Sequence, residues 1–257
     1  MRPVLTAALV LGLLAPLVPL ALWSVGRGWF YPALLPDFTL APWEQVLSAR
    51  SGVPAALAAS AGIAAAAVAL ALVLGVPAGR ALGLTRIRGR ALIELALLAP
   101  ALVPGLAVAL GLHGIFLRLG LTGTAAGVVL AHLVPVLPYV VLVMAGVFAG
   151  FDPRLEDQAR SLGASPLQVA LHVTLPAIWP GLLAAAFFGF LVSWSQYILT
   201  LSIGSGRVVT LPLLLYAQAS AGRSDLAGAV AMIGLLPGLA AMLVLHRGLT
   251  GRAPGAA

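Results

Sequence analysis

The stretch EDQARSLGASPLQVALHVTLP, Glu156–Pro176, interrupts a chain that is otherwise oily. Together with Asp152 just ahead of it, it gathers three of the seven acidic residues, Asp152, Glu156 and Asp157, into six positions. The sequence on either side, 125–149 and 177–203, holds no Asp, Glu or Arg. Two long apolar runs joined by a short punctuated polar segment are what spanning helices and a connecting loop look like in a sequence.

Composition agrees with that reading. Hydrophobic residues make up 61% of the 257 and charged residues 8%, against about 45–50% and about 25% in soluble domains. Further runs at 4–25, 53–76 and 226–245 also lack Asp, Glu and Arg, and 91–112 holds a single acid, Glu94. Each reaches the length of about 20 residues that a helix needs to cross hydrocarbon. A β-barrel would instead show segments of about 10 residues alternating in polarity, and these runs are continuous. The expectation is an all-α integral membrane protein with six transmembrane helices. The first run is read as an uncleaved anchor, because it exceeds the roughly 7–15 apolar residues of a cleaved signal core.

The missing residue types exclude several chemistries. There is no cysteine, so disulfides, thiolate metal sites and cysteine nucleophiles are ruled out. There is no lysine, so a phosphate-cradling GxxxxGK[ST] loop cannot be written and any ATP must be bound by another chain. The net charge of +7 is carried by arginines that flank apolar spans, which points to topology and not to nucleic acid. With both termini inside, Arg2, Arg80, Arg86, Arg88, Arg90, Arg154, Arg160, Arg247 and Arg252 face the cytoplasm, and Arg27, Arg50, Arg118, Arg207 and Arg223 face out. The segment 152–176 is then cytoplasmic. The outer loop 26–52 carries Trp29, Phe30, Tyr31 and Trp43, rings that settle at headgroup level. The tail from Thr250 to Ala257 is expected to be loose.

Local signals divide the polar segment into two short helices. Asp152 can cap the first and Pro153 suits its first turn, while Gly163 can take the left-handed conformation that ends it. Ser165, Pro166 and Gln168 form an S-x-x-Q capping box for the second, and Pro176 closes the unit. Leu155, Ala159 and Leu162 share one helical face, and Leu167, Ala170, Leu171 and Thr174 share another. Helices of about ten residues are not stable alone, so these faces must pack on the membrane surface, on their own bundle or on a partner.

The segment resembles the EAA loop of permease subunits of binding-protein-dependent ABC importers. That pattern is E-A-A, three residues, Gly, nine residues, then Ile-x-Leu-Pro. Here Asp157-Gln158-Ala159 stands in the triplet, Gly163 falls at the required distance, and Val173-Thr174-Leu175-Pro176 completes it. Glu156 sits one place early. Further along, LGVPAGRAL at 74–82, PALVPGLAVALGL at 100–112 and TLPLLLY at 210–216 are similar to stretches of permeases from polyamine, thiamine and ferric-iron importers.

The resemblance implies a type I importer permease fold (MetI-like), with the whole of 1–257 forming one transmembrane domain. It implies that Glu156, Asp157, Gln158, Ala159, Leu162, Gly163, Ala164, Leu175 and Pro176 belong to a coupling helix seated in an ATPase subunit. The implied partners are two ATPase copies carrying ATP and Mg, a second permease as homodimer or heterodimer, an extracytoplasmic solute-binding protein and membrane lipid. The chain itself would be no enzyme and would hold no cofactor or metal. Its location would be the bacterial inner membrane, and its cargo a small polar solute of the polyamine, thiamine or ferric-iron type.

Polar groups inside spans are costly and each needs a reason. Glu94 lies four residues beyond Arg90 and is expected to pair with it. His113 and His132 are read as packing or interhelical hydrogen bonders. Ser193, Trp194, Ser195, Gln196 and Tyr197 form the most polar stretch of any span, either bridging helices or lining a translocation path. In the polyamine permeases an acidic pair stands at the place of Ser195-Gln196, so a cationic cargo loses its counter-charge here. GxxxG pairs at Gly75/Gly79, Gly146/Gly150 and Gly234/Gly238 could seat a neighbouring helix, in this chain or another. The rival classes are an ATP-independent secondary transporter, for which inverted repeats and mid-membrane acids are lacking, and an intramembrane enzyme, for which paired acids or HExxH are lacking.

Overall fold

The computed structural model describes residues 5, 6, 9, 11, 12, 14–29 and 32–250. The described chain is helical almost throughout, and it divides into two compact units.

The first unit holds the described residues up to Ser60 and Val209–Leu239. Helix α1, Leu17–Ser24, leads into a two-residue antiparallel ribbon in which Gly26 pairs with Phe38 and Arg27 with Asp37. Helix α2, Ala41–Leu47, follows, and α3, Val53–Leu84, begins here. Helix α11, Leu211–Ser220, and the first part of α12, Ser224–Thr250, complete the unit. Ser60 Oγ accepts the buried Leu211 amide at 2.8 Å, which anchors the start of α11. Gly228 lets α12 lie against α1, since a Cβ there would stand 2.8 Å from the Ser24 nitrogen.

The second unit holds Ala61–Val208 and the described residues from Ala240. Its centre is α6, Ala125–Ala149, whose Val128, Ala131, Val136, Val140, Met144 and Phe148 are all buried. Thr124 caps it by accepting the Gly127 amide at 3.0 Å. Around α6 lie the rest of α3, then α4 (Arg90–Leu102), α5 (Gly105–Arg118), α9 (Leu175–Trp194) and α10 (Ile198–Gly204). Gly75, Gly79 and Gly83 bring α3 close to α6: added Cβ atoms would stand 2.7 Å from Val140 Cγ1, 2.5 Å from Met144 Cβ and 2.6 Å from the Ala145 oxygen. The first GxxxG pair therefore packs two helices of this chain. Gly146, by contrast, has nothing within 4 Å of such a Cβ.

Among the described residues, four helices are long and apolar enough to cross a membrane: Val53–Leu84, Ala125–Ala149, Pro166–Trp194 and Ser224–Gly248. The pair Arg90–Pro100 and Gly105–Arg118 would make a fifth if taken as one broken span. Within the expected first span, 4–25, Val4, Ala7, Ala8, Val10 and Leu13 lie outside the described residues, as do Phe30, Tyr31 and the tail beyond Thr250.

Three expectations need correction. The span expected at 91–112 is two helices bent by 89°. Pro104 has no amide hydrogen and drives Val103 into extended backbone, φ −86° and ψ 135°, which ends α4. The span expected at 177–203 ends at Trp194, and a break at 195–197 separates it from α10. Nor does Pro176 close the polar segment. The helix from Pro166 runs through it to Trp194, with a π-helical turn at Ala170–Thr174 just ahead of the proline. A widened turn at that point accommodates a ring that would otherwise crowd the carbonyl of residue 172.

Candidate functional site

The polar segment forms the two expected helices, α7 (Arg154–Ser161) and α8 (Pro166–Val169), the second continuing into α9. Asp152 Oδ1 accepts the Arg154 amide at 3.0 Å and so satisfies one of the orphan donors at the start of α7. Gly163 adopts φ +88°, the left-handed conformation that lets the chain leave α7 and re-enter a helix two residues later. The capping box is complete: Gln168 Oε1 accepts the Ser165 amide at 2.8 Å, and Ser165 Oγ accepts the Gln168 amide at 3.4 Å.

The leucines of these faces stand largely clear of the protein, whereas Val169 and Thr174 are buried. Leu162 is 89% exposed and Leu167 69%, with Leu155 and Leu171 close to half exposed. Asp157, Gln158, Gly163 and Pro176 are also exposed, while Ala159, Ala164 and Leu175 are half-buried. The sequence pattern thus produced a ridge of leucines on a capped, polar scaffold.

Glu156 behaves differently. It is 3% exposed and accepts four hydrogen bonds: from Arg80 Nη1 to Oε1 and Nη2 to Oε2, both 2.7 Å, from Thr174 Oγ1 at 2.6 Å, and from Arg160 Nη2 at 3.1 Å. The Arg80 guanidinium carries the Phe148 ring on its other side, 5.5 Å from the ring centre. Arg80, followed by the Thr174 and Arg160 donors, holds the Glu156 carboxyl down at about 2 against the opposing effect of burial. Sequence reading placed Glu156 in the segment but missed Arg80, Thr174 and Phe148 as its surroundings. The available signal was an arginine at the end of an otherwise uncharged apolar helix.

A second feature is an open-sided cavity of about 530 Å³ lined by α4, α5, α6 and the α9–α10 break. Its polar groups are Tyr139, Ser195 and Gln196, set among Pro100, Pro135 and Pro138. Of the five residues of the SWSQY stretch, only Ser195 and Gln196 line it. Ser193 is buried on the other side, where His132 Nδ1 lies 2.9 Å from its Oγ and His132 Nε2 lies 2.9 Å from Thr200 Oγ1. Trp194 stacks on Phe190 with ring centres 5.5 Å apart. His113 Nδ1 donates to the Ser202 carbonyl at 2.9 Å, so both histidines are interhelical hydrogen bonders as expected. Arg90 Nε donates to Glu94 Oε1 at 2.8 Å, the expected ion pair on one helix.

Residues 71–252 match the family model described as the inner membrane component of binding-protein-dependent transport systems. The molybdenum transport permease ModB of Mycobacterium tuberculosis is 36% identical over 191 residues, which is 68% of this chain and 70% of that protein. A putative ABC transporter permease of Streptomyces antibioticus is 32% identical over 136 residues, 52% of this chain and 59% of its own length, so the chain spans less than two thirds of that relative. In three dimensions the chain is similar to a chain of a bacterial ABC transporter involved in alginate import, with a TM-score of 0.70, 20% identity, and 96% of this chain and 94% of that one covered. At that identity the likeness speaks for the fold alone. The family match and the shared helical architecture together place this chain among the membrane-embedded ABC importer permeases, with the MetI-like fold.

Proposed function

We propose that the chain is the permease subunit of an ATP-driven importer, a single transmembrane domain that forms half of the translocation pathway and couples through 152–176 to a separate ATPase subunit. The observation that carries this reading is the leucine ridge: Leu162 and Leu167 stand in the open on a segment whose backbone is capped at both helix starts. Burying such a side chain against a partner contributes about 1.5–3 kcal/mol each, and nothing in the described chain takes that role. Two ATPase copies would supply ATP and Mg, and a second permease would close the pathway. The arginine distribution supports a cytoplasmic segment and cytoplasmic termini in the inner membrane. A solute-binding protein would deliver the cargo from outside.

The cavity beside the α9–α10 break is the best candidate for a stretch of the path, with Ser195 and Gln196 as its polar wall. No carboxylate is among the residues lining it, which weighs against a polyamine and favours a neutral or anionic small polar solute. The mycobacterial relative, named for molybdenum transport, is compatible with that preference.

The test is purification of the tagged chain from its native membrane followed by reconstitution. An ABC ATPase should co-purify, and uptake into vesicles should require ATP. Accumulation of solute by the chain alone, with no ATPase present, would overturn the proposal in favour of a secondary transporter.

A further inference from the structure

A short helix that receives force from a partner is useful only if it cannot swivel. Helix α7 has eight residues, too few to hold its own shape, and it hangs between the turn at Asp152-Pro153 and the left-handed Gly163. Its attachment to the rest of the second unit is concentrated at Glu156. This one carboxylate joins α7 itself, through Arg160, to α3, through Arg80, and to the π-helical turn at the root of α9, through Thr174. Phe148 at the end of α6 backs the Arg80 guanidinium.

We propose that Glu156 is a positioning residue, a latch that locks the polar segment to α3 through Arg80, so that displacement of the leucine ridge is passed to α3. This inference rests on the docking reading above. The geometry supports it at two points. The Arg80–Glu156 pair is bidentate, with both bonds at 2.7 Å, so it fixes orientation as well as distance. Downstream, the same helix fits closely on α6 along Gly75, Gly79 and Gly83, where Val140 and Met144 fill the space that side chains would take, and Ala71, Leu72 and Val76 of α3 pack in the same cluster. A seam packed this closely passes a displacement of α3 on to α6, and Arg80 lies within that seam's span of sequence.

A buried ion pair is a poor way to gain stability, because an apolar contact of similar volume generally holds as well. What the pair adds is direction. Leucine packed on leucine can slip in register, whereas a carboxylate with four donors on it has one arrangement. The latch also accounts for the offset of Glu156 from the triplet position: Glu156 faces inward, and the residue at the triplet's first place, Asp157, remains exposed, its carboxylate engaged only by Arg160 at 2.8 Å among the described contacts.

The absence of cysteine allows a direct test on the full chain in lipid nanodiscs. Spin labels on Ser161→Cys and Thr85→Cys, both exposed, report the distance between α7 and the end of α3. In the otherwise unaltered chain the distance distribution should be narrow. Glu156→Gln and Arg80→Gln should each broaden it, and the double variant should be no broader than either, the non-additivity of two residues acting through each other. Arg80→Lys, which keeps the charge but loses the fork, should broaden it to a lesser degree and serves if the glutamine variants fold poorly. In the reconstituted transporter, Glu156→Gln should still capture the ATPase subunit yet move about tenfold less solute per ATP hydrolysed, a ratio that simple loss of folded protein leaves unchanged. A narrow distribution in all the single variants would overturn the latch. If the distributions broaden but no ATPase binds even the unaltered chain, the docking reading fails while the attachment itself stands.

Discussion

His132 and Ser193 meet through a 2.9 Å hydrogen bond between Nδ1 and Oγ, 61 residues apart in sequence and fully inside the second unit. The partner on the other ring nitrogen assigns the roles. Thr200 Oγ1 gives its proton to the Gln196 carbonyl at 3.2 Å, so it accepts from His132 Nε2–H. Nδ1 is then bare and accepts the serine hydroxyl. Ser193→Ala leaves that nitrogen buried without a donor and should lower stability by about 1–3 kcal/mol, above the average of about 0.6 kcal/mol for hydrogen bonds in membrane proteins. Thermal unfolding in detergent checks this, with Ser195→Ala, an exposed position, as the variant that should unfold with the parent.

The glycine face of α3 predicts an asymmetry between two GxxxG pairs that look alike in sequence. A Cβ on Gly79 would stand 2.5 Å from Met144 Cβ and 2.9 Å from the Ala145 nitrogen, so Gly79→Ala must push two helices apart. Overpacking of this kind costs about 1–3 kcal/mol. Gly146→Ala meets nothing within 4 Å and should be neutral or stabilising by up to about 1 kcal/mol, the helix preference of Ala over Gly. Melting curves of the two variants should shift in opposite directions or in one case not at all. Equal destabilisation would mean that the Gly146 face is covered by another subunit.

How much of this was written locally explains what sequence reading found. The span at 125–149 was legible because its boundaries are chemical: Thr124 caps it, Gly150 follows it and the residues between are continuously apolar. The capping box at Ser165 and the left-handed Gly163 were legible for the same reason, each needing only neighbours within three or four residues. The Arg80–Glu156 contact spans 76 residues and has no local signature beyond a charged residue at the edge of an apolar helix. The break at 195–197 was hidden inside a run that is apolar overall. Pro104 is a local mark at the bend, but a proline in a membrane helix can kink or end it, and only the packing around α5 decides.

The cavity wall makes a charge prediction. Gln196 is half-buried beside Ser195 and Tyr139, and the lining carries no ionised group. Gln196→Glu adds a negative charge in nearly the same volume. Charged side chains lining a pathway select by sign, so uptake of a cation relative to an anion should rise, by about tenfold or more if the cavity lies on the path. Competition between spermidine and molybdate for uptake in vesicles measures the ratio. An unchanged ratio would place the path elsewhere.

Glu156 also predicts a pH window. Its carboxyl is held at about 2 in the folded chain against an ordinary 4.5, so its contribution to holding α7 is complete above about 4.5. As pH falls from there through about 2 the native carboxylate takes up a proton, and the contribution is lost. The groups facing it are Arg80, Arg160 and Thr174, none of which loses its donor role in acid. The distance distribution between labels at 161 and 85 should therefore stay narrow down to about pH 4 and broaden toward about pH 2. The Glu156→Gln variant should be broad and flat across the same range.

Leu162 and Gly163 separate docking from folding. At 89% exposure Leu162 contributes little to the chain's own stability, so Leu162→Asp should insert in the membrane and melt like the parent. If the ridge seats in an ATPase subunit, the same change removes about 1.5–3 kcal/mol of apolar burial and adds a charge that must be desolvated, weakening capture of that subunit by more than about tenfold. Gly163→Pro acts on the backbone instead. Proline holds φ near −65°, and Gly163 stands at +88°, so α7 and α8 could not keep their relative direction. Its amide, which donates to the Arg160 carbonyl at 2.9 Å, would be lost as well. That variant should retain its leucines and yet lose uptake. Binding assays with the purified ATPase, run beside ATP-driven uptake, distinguish the two: Leu162→Asp fails in both, whereas uptake at the parental level in either variant would remove the polar segment from the coupling mechanism.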